Sequence, residues 1–447
     1  MLTRKAERRI IDWIQNREEK SALLVSGARQ VGKTWLIREC LEKTESQFLE
    51  INLIAEPELI PVLEKVRTVD DLIVNLSASQ NFHFEKGKTI LFIDEVQEVK
   101  ELVTRIKFFV DEGSFRYILS GSLLGIELKS LRSAPIGYLS EITMFPLDFE
   151  EFLVNSGVQE TTIQYLSDCF CRRKALEELV HQKMMKHFVR YLVIGGMPAA
   201  VQEYVNSFDV AKVNEIQRNI IELYKLDFTK YEEENRKLML IAVYQQIASQ
   251  LLKQNRRFFY QDLQKGLRFE RVEDSFLWLA SAGVAIPVYN ATEPRVALNQ
   301  NKKSSLLKLY SSDVGLLTCQ YGNAVRMNIL MEDRHVNLGG IYENAVAQEL
   351  NAHGFPLYYY NSHKQGELDF VIEKGFSAIP LEIKSGKDYR IHSAISNVSG
   401  NPEYGIQEAY VLANTNIFQE GKITYLPVYM AMFIQDDVKL PILEPIG

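Results

Sequence analysis

The octapeptide Gly27-Ala28-Arg29-Gln30-Val31-Gly32-Lys33-Thr34 constrains this chain more than any other segment. It follows an apolar run at 22–26 and precedes a helix-like stretch at 35–43. Glycines let such a turn aim successive backbone N–H groups at one point, and the positive end of the following helix adds to the same field. Strand, glycine turn and helix in this order predict a cradle for phosphate oxygens; an ordinary βα turn is the alternative. In the phosphate reading all eight residues line the cradle. Lys33 brings a point charge to the β- and γ-phosphates, and the Thr34 hydroxyl ligates Mg²⁺.

A metal held through one hydroxyl needs an acidic partner, and hydrolysis needs a positioned water. The segment Thr89-Ile-Leu-Phe-Ile-Asp94-Glu95 offers both: a strand buried on two faces, with two carboxylates at its carboxyl end, where open parallel sheets bind ligands. Asp94 is expected to hold the metal and Glu95 to activate water. Another strand, Arg116-Tyr-Ile-Leu-Ser120-Gly-Ser122, ends in hydroxyls. Ser120 or Ser122 could reach the γ-phosphate or the lytic water, or simply shape a turn.

The chain has 447 residues, enough for several domains, and its 46% hydrophobic content excludes wholesale disorder. A net charge of −7 excludes a general polyanion-coating protein, so any nucleic-acid contact must be local. Short apolar runs at 22–25, 48–53, 89–93 and 116–119 alternate with helical segments up to about residue 146, the pattern of a parallel sheet covered on both faces. From 147 to about 300 the pattern is mostly helical, with apolar spacing of three and four residues at 238–252 and 272–280. Mixed structure returns near Leu309, with a helix at 341–352 and strands near 357–360, 367–372, 378–383 and 408–412. Four cysteines offer no disulfide framework or paired zinc spacing, and His181 and His187 lack metal-ligand spacing. The longest charge-free run, 275–292, is broken by Gly283 and Pro287 and is too polar to span a membrane. No signal peptide follows Arg4, Lys5, Arg8 and Arg9, so the expected location is cytoplasmic, without a membrane partner.

The cradle, Ile93-Asp-Glu-Val-Gln97, Leu119-Ser-Gly-Ser122 and Phe145-Pro-Leu-Asp-Phe-Glu-Glu-Phe152 together resemble AAA-superfamily ATPases of bacteria and archaea. They are most similar to the group in which the ATPase domain precedes a C-terminal domain of unknown function. The likeness continues through Tyr191-Leu-Val-Ile-Gly-Gly-Met-Pro198, Leu309-Tyr-Ser-Ser-Asp-Val-Gly315, Ile341-Tyr-Glu-Asn344 and Gly366-Glu-Leu-Asp-Phe-Val-Ile372. It implies an α/β P-loop ATPase using ATP and Mg²⁺ over 1–146, then a helical region over 147–230 and a winged-helix-like domain over 231–305. Many relatives carry Gly-Arg where this chain has Gly137-Tyr138. Loss of an arginine aimed at the γ-phosphate implies slow or switch-like turnover unless Arg132 or a neighbouring subunit supplies one.

In the last region, 306–447, Asp369 lies on one strand and Glu382-Ile383-Lys384 on another, so Glu382 and Lys384 share a face. If the strands pair, Asp369 joins them, and Glu343 on the preceding helix could complete a Mg²⁺ site. The pattern resembles the Asp…Glu-x-Lys core of the restriction-endonuclease-like fold. A metal-dependent nuclease gated by nucleotide, a binding platform and a solvated edge all fit it. Tyr358, Tyr359 and Tyr360 read as a β-strand or a base-stacking surface. Between 253 and 271, six basic residues (Lys253, Arg256, Arg257, Lys265, Arg268 and Arg271) face only Asp262 and Glu270. Helix, turn, helix and strands at 284–288 and 295–298 would suit a winged helix on DNA; a charged face toward solvent or a protein partner is the alternative. The expected function is an ATPase coupled to a macromolecular transaction, with a nucleotide-controlled interaction module or homo-oligomer also consistent.

Overall fold

The computed structural model describes residues 2–122, 137–230, 234–332 and 337–436. Two compact units emerge: Met1–Pro146 with Trp278–Val284, and Leu147–Leu277 with Ala285–Gly447. Arg132 lies outside the described residues.

The first unit is a five-stranded sheet of β1 (Ala22–Gly27), β2 (Phe48–Asn52), β3 (Ile90–Asp94), β4 (Arg116–Ser120) and β5 (Leu139–Met144). The order is β2-β3-β4-β1-β5, and every neighbouring pair is parallel. The four expected apolar runs are β1 to β4. The fifth strand, Leu-Ser-Glu-Ile-Thr-Met, is an edge strand that buries only Ile142 and Met144, so its apolar signal is diluted. Helix ends follow local chemistry. Thr68 Oγ1 accepts from Asp71 N at the start of Val69–Gln80, and Gly113, left-handed at φ 76°, closes Lys100–Glu112.

Register then decides where the strands stop. Asn52 pairs with Asp94, Ile93 with Leu119, and Val25 with Ser120. The carboxyl ends of β1, β2, β3 and β4 therefore fall along one edge, the ligand-binding edge of an open parallel sheet.

The second unit combines helices, among them Phe149–Asn155, Glu178–Ile194, Val210–Lys230 and Glu234–Leu251, with an eight-stranded mixed sheet. Its strands are β6 (Ala285–Ala291), β7 (Lys302–Ser311), β8 (Tyr358–Ser362), β9 (Gly366–Lys374), β10 (Ser377–Lys384), β11 (Ala409–Ala413), β12 (Phe418–Glu420) and β13 (Ile423–Pro427). The order is β12-β13-β11-β10-β9-β8-β6-β7.

The structure differs from the expected winged helix here. Residues 295–298 form no strand; the partner of β6 is the longer β7, and the expected join at 305/306 falls inside it. The pair also extends the C-terminal sheet, because β6 runs parallel to β8 over Tyr289–Ala291. Pro287 is tolerated because its stretch of β6 lies before that pairing and has β7 alone as neighbour. Between Leu251 and Glu273 only two 3₁₀ turns form, Tyr260–Asp262 and Phe269–Arg271, and no α-helix. The run offers Gly266, the weak helix former Asn255 and two large rings, Phe258 and Phe259, over too few residues for a helix to outweigh its nucleation cost.

The remaining motifs serve as joints inside this unit. Gly196 N donates to Asp313 Oδ2 at 2.6 Å, and the Asn344 amide closes a two-way bridge with Ser311, accepting at 2.7 Å and donating at 3.0 Å. Gln348 donates to Tyr191 Oη, which in turn donates to the Leu147 carbonyl. A Cβ on Gly196 would stand 2.0 Å from the Leu147 carbonyl oxygen, a backbone atom that cannot swing away. Gly196→Ala should therefore destabilise this unit by about 3 kcal/mol, checked by urea unfolding against wild type.

Candidate functional site

At the shared edge the loop after β1 takes the shape that its glycines permit. Gly27 sits at φ 137°, and a Cβ there would lie 2.1 Å from the Met144 carbonyl oxygen on β5. Gly32 (φ 86°) and Gln30 (φ 69°) are both positive; Gln30 bears the strain that a non-glycine residue carries there. Buried Arg4 braces the loop from behind, donating to the carbonyls of Val31 at 2.9 Å and Phe145 at 2.7 Å. In the sequence Arg4 reads only as one charge in a mixed N-terminal run.

Lys33 opens the helix Lys33–Lys43, and its Nζ donates to the carbonyls of Gly27 (3.0 Å) and Ala28 (2.8 Å). Burial pushes this ammonium down to about 8, against the opposing pull of Glu95 and Asp94. Its neighbour Thr34 donates to Asp94 Oδ2 at 2.8 Å. Asp94, 2% exposed, also accepts from Asn52 Nδ2 at 2.9 Å and, through Oδ1, from the buried hydroxyl of Ser120. Each hydrogen bond to a buried carboxylate is worth roughly 1.5–3 kcal/mol, so these three donors fix the orientation of Asp94.

Glu95 follows in left-handed geometry (φ 55°, ψ 46°), which turns it off the strand axis. Gln97 Nε2 holds its Oε2 at 2.6 Å, while Gln97 Oε1 is buried with no hydrogen-bond partner. The structure thus gathers Gly27 to Thr34, Asp94, Glu95 and Ser120. It adds Asn52 and Gln97, which the sequence reading missed. Gln97 lies inside the Ile93–Gln97 motif and Asn52 inside the expected 48–53 run, but only register puts Asn52 beside Asp94. Ser120 spends its hydroxyl on Asp94.

The site fits a magnesium nucleotide. A hydroxyl and a carboxylate oxygen converge as hard donors, a cradle of two glycines needs close backbone approach, and a buried ammonium lacks an anionic contact of its own. The Tyr138 hydroxyl bonds Asp111. Because burial holds Lys33 below its ordinary value, its cost to the nucleotide-free fold is full below pH 8 and shrinks as pH rises toward 10.5. Lys33→Met should stabilise the nucleotide-free protein at pH 7 by on the order of 1–3 kcal/mol, with a smaller gain at about pH 10, measured by urea unfolding.

In the second unit β9 and β10 pair antiparallel, up to Leu381 opposite Phe370, and Glu382 and Asp369 are the next residues along. Asp369 Oδ2 accepts from Ile383 N at 2.8 Å, and Glu382 pairs with Lys384 at 2.8 Å. Glu343, from the helix Gly339–Ala352, joins them through groups the sequence reading did not place there. Tyr310 Oη donates to Glu343 Oε2 at 2.8 Å, Arg256 binds Glu343 Oε1, and Lys308 lies 4.0 Å from Glu343 and 3.9 Å from Asp369.

Burial, and then the charge of Asp369, push Glu343 up to about 8 and Glu382 up to about 7. An acid raised on folding binds its proton more tightly in the native state, so its contribution to stability falls as pH climbs from about 4.5 to about 8. Glu343→Gln should flatten the decline in unfolding midpoint between about pH 5 and pH 8, measured by thermal melts across that range.

Part of the basic run is consumed internally: Lys253 pairs with Asp262, and Arg256 turns inward to Glu343. Lys265, Arg268 and Arg271 stay exposed. Tyr358, Tyr359 and Tyr360 are buried in β8 and form no stacking surface. The four cysteines are unpaired thiols. Among the described residues no helix is long and apolar enough to cross a membrane.

Comparison with known proteins gives three family matches: an AAA domain over residues 19–153, and two domains of unknown function, DUF8612 over 185–325 and DUF4143 over 338–430. Among curated proteins none matches. A solved Walker-type ATPase of Pyrococcus abyssi aligns at 17% identity and a TM-score of 0.44, over 72% of this chain and 96% of that one. The AAA-domain match agrees with the loop and sheet geometry, and the first unit is a P-loop ATPase domain.

Proposed function

We propose that the chain binds ATP with Mg²⁺ at the loop 27–34 and hydrolyses it slowly, using the cycle to control a macromolecular partner. One observation supports this reading above the others: Lys33, Thr34, Asp94 and Glu95 meet at one sheet edge, with Asp94 already oriented by Asn52 and Ser120. The ammonium of Lys33 exchanges the Gly27 and Ala28 carbonyls for phosphate oxygens, while the loop N–H groups bind the same phosphates. Thr34 and Asp94 would hold a magnesium ion, which would neutralise phosphate charge. Glu95, steadied by Gln97, accepts the proton of the attacking water. Turnover is slow because Tyr138, bonded to Asp111, supplies no charge to the transition state. DNA is the partner suggested by the exposed Lys265, Arg268 and Arg271; a protein partner is the second reading, favoured by the inward turn of Arg256.

The test combines titration calorimetry with phosphate release, each with and without single- and double-stranded DNA. Lys33→Ala should weaken ATP binding by roughly 10–100-fold, the loss of a charged hydrogen-bonding partner. Glu95→Gln should bind ATP as wild type does and release no phosphate. Equal ATP affinity in wild type and Lys33→Ala would refute the proposal.

A further inference from the structure

The carboxylate cluster of the second unit has the letters of a metal-dependent nuclease core, and its four sequence-predicted members, Glu343, Asp369, Glu382 and Lys384, do come together. A divalent ion bound by such a core needs carboxylate oxygens converging on one point at about 2.1 Å for Mg²⁺. Here each oxygen but one is engaged or faces a cation of the chain. Asp369 Oδ2 is taken by Ile383 N, and Oδ1 faces both Arg256 and Lys308 at 3.9 Å. Glu343 divides its oxygens between Arg256 and Tyr310. Glu382 Oε1 is paired with Lys384; the exception is its buried Oε2, which lacks a hydrogen bond.

Lys308 sits among them. Its side chain is fully buried, with Nζ 2.8 Å from Glu367, 3.9 Å from Asp369 and 4.0 Å from Glu343. One ammonium thus faces three carboxylates at once, and its burial leaves that attraction little screened by water. The backbone is built to deliver these cations. β7 carries Lys308 into the cluster, and the Leu307 carbonyl accepts from Phe258 N at 2.8 Å, tying the Arg256 segment to the same strand. Gly340 allows the Leu251 carbonyl a close approach that a Cβ would block at 2.3 Å, which brings that segment onto the helix bearing Glu343. Among the described residues, a group of three acidic or histidine side chains whose ligand atoms lie close enough to share an ion is formed by Asp148, Glu349 and His353, and none of these belongs to this cluster.

We propose that Lys308, assisted by Arg256, is the resident cation of this cluster, so that the chain itself fills the place a divalent metal would take and the module does not cleave phosphodiesters. The inference is independent of the ATPase reading, because none of its residues belongs to the phosphate site.

The test is Mn²⁺ binding, followed by the loss of the free-ion EPR signal, on the full nucleotide-free chain. Wild type and Asp369→Asn should bind the same amount of Mn²⁺, since the cluster contributes none. Lys308→Met should gain a site at least tenfold tighter than any in wild type, and adding Asp369→Asn should remove it. A folded Lys308→Met protein that gains no Mn²⁺ overturns the proposal. So does wild-type Mn²⁺ binding, or wild-type nicking of supercoiled plasmid in Mn²⁺, that disappears in Asp369→Asn. If Lys308→Met fails to fold, the wild-type and Asp369→Asn comparison decides by itself.

Discussion

A buried carboxylate with no paired base is costly, and the first unit is organised around keeping one. Asp94 is satisfied because two strands and a helix each bring it a donor: Asn52 from the end of β2, Ser120 from the end of β4, and Thr34 from the first turn after the loop. None of those donors is near Asp94 in sequence. They meet because parallel pairing stops β1, β2, β3 and β4 at one edge, and a one-residue slip in a strand carrying a donor would turn that donor to the opposite face. The same register leaves the glycine loop beside the carboxylate, so the condition that stabilises the sheet edge also assembles the candidate site.

The two units handle charge in opposite ways. At the sheet edge of the first, Lys33 is buried against neutral carbonyls and held below its ordinary value, an ammonium awaiting an anion. In the second, burial would pull Lys308 down as well, but Glu343, Asp369 and Glu367 more than offset it and hold the ammonium above its ordinary value. One lysine is poised for a ligand and the other is satisfied by its own chain. The glycine turn before it marks Lys33 in the sequence, whereas nothing in the residues around Lys308 marks that one.

Much of the candidate site was legible because its parts are local. The glycines, Lys33 and Thr34 occupy one octapeptide, and Asp94 and Glu95 end one apolar strand, so spacing and period suffice. The fifth strand escaped because an edge strand buries one face only, and the wing was misplaced because Arg295 to Leu298 reads as extended while the sheet had a longer partner for β6 in β7. Arg4, Asn52 and Gln97 were missed for a different reason: each acts on a residue brought near by chain folding, or through a side-chain contact that common residue types do not advertise.

The sequence by itself determined the phosphate loop, the acidic strand end and the alternation of strands and helices that makes a parallel sheet, since these depend on backbone conformation and hydrophobic period within a few residues of one another. Only the tertiary structure decided what surrounds the C-terminal carboxylates. Glu343, Asp369 and Glu382 read alike with or without a cation beside them. Arg256 and Lys308 come from segments 113 and 61 residues before Asp369, and chain folding alone could bring them to it.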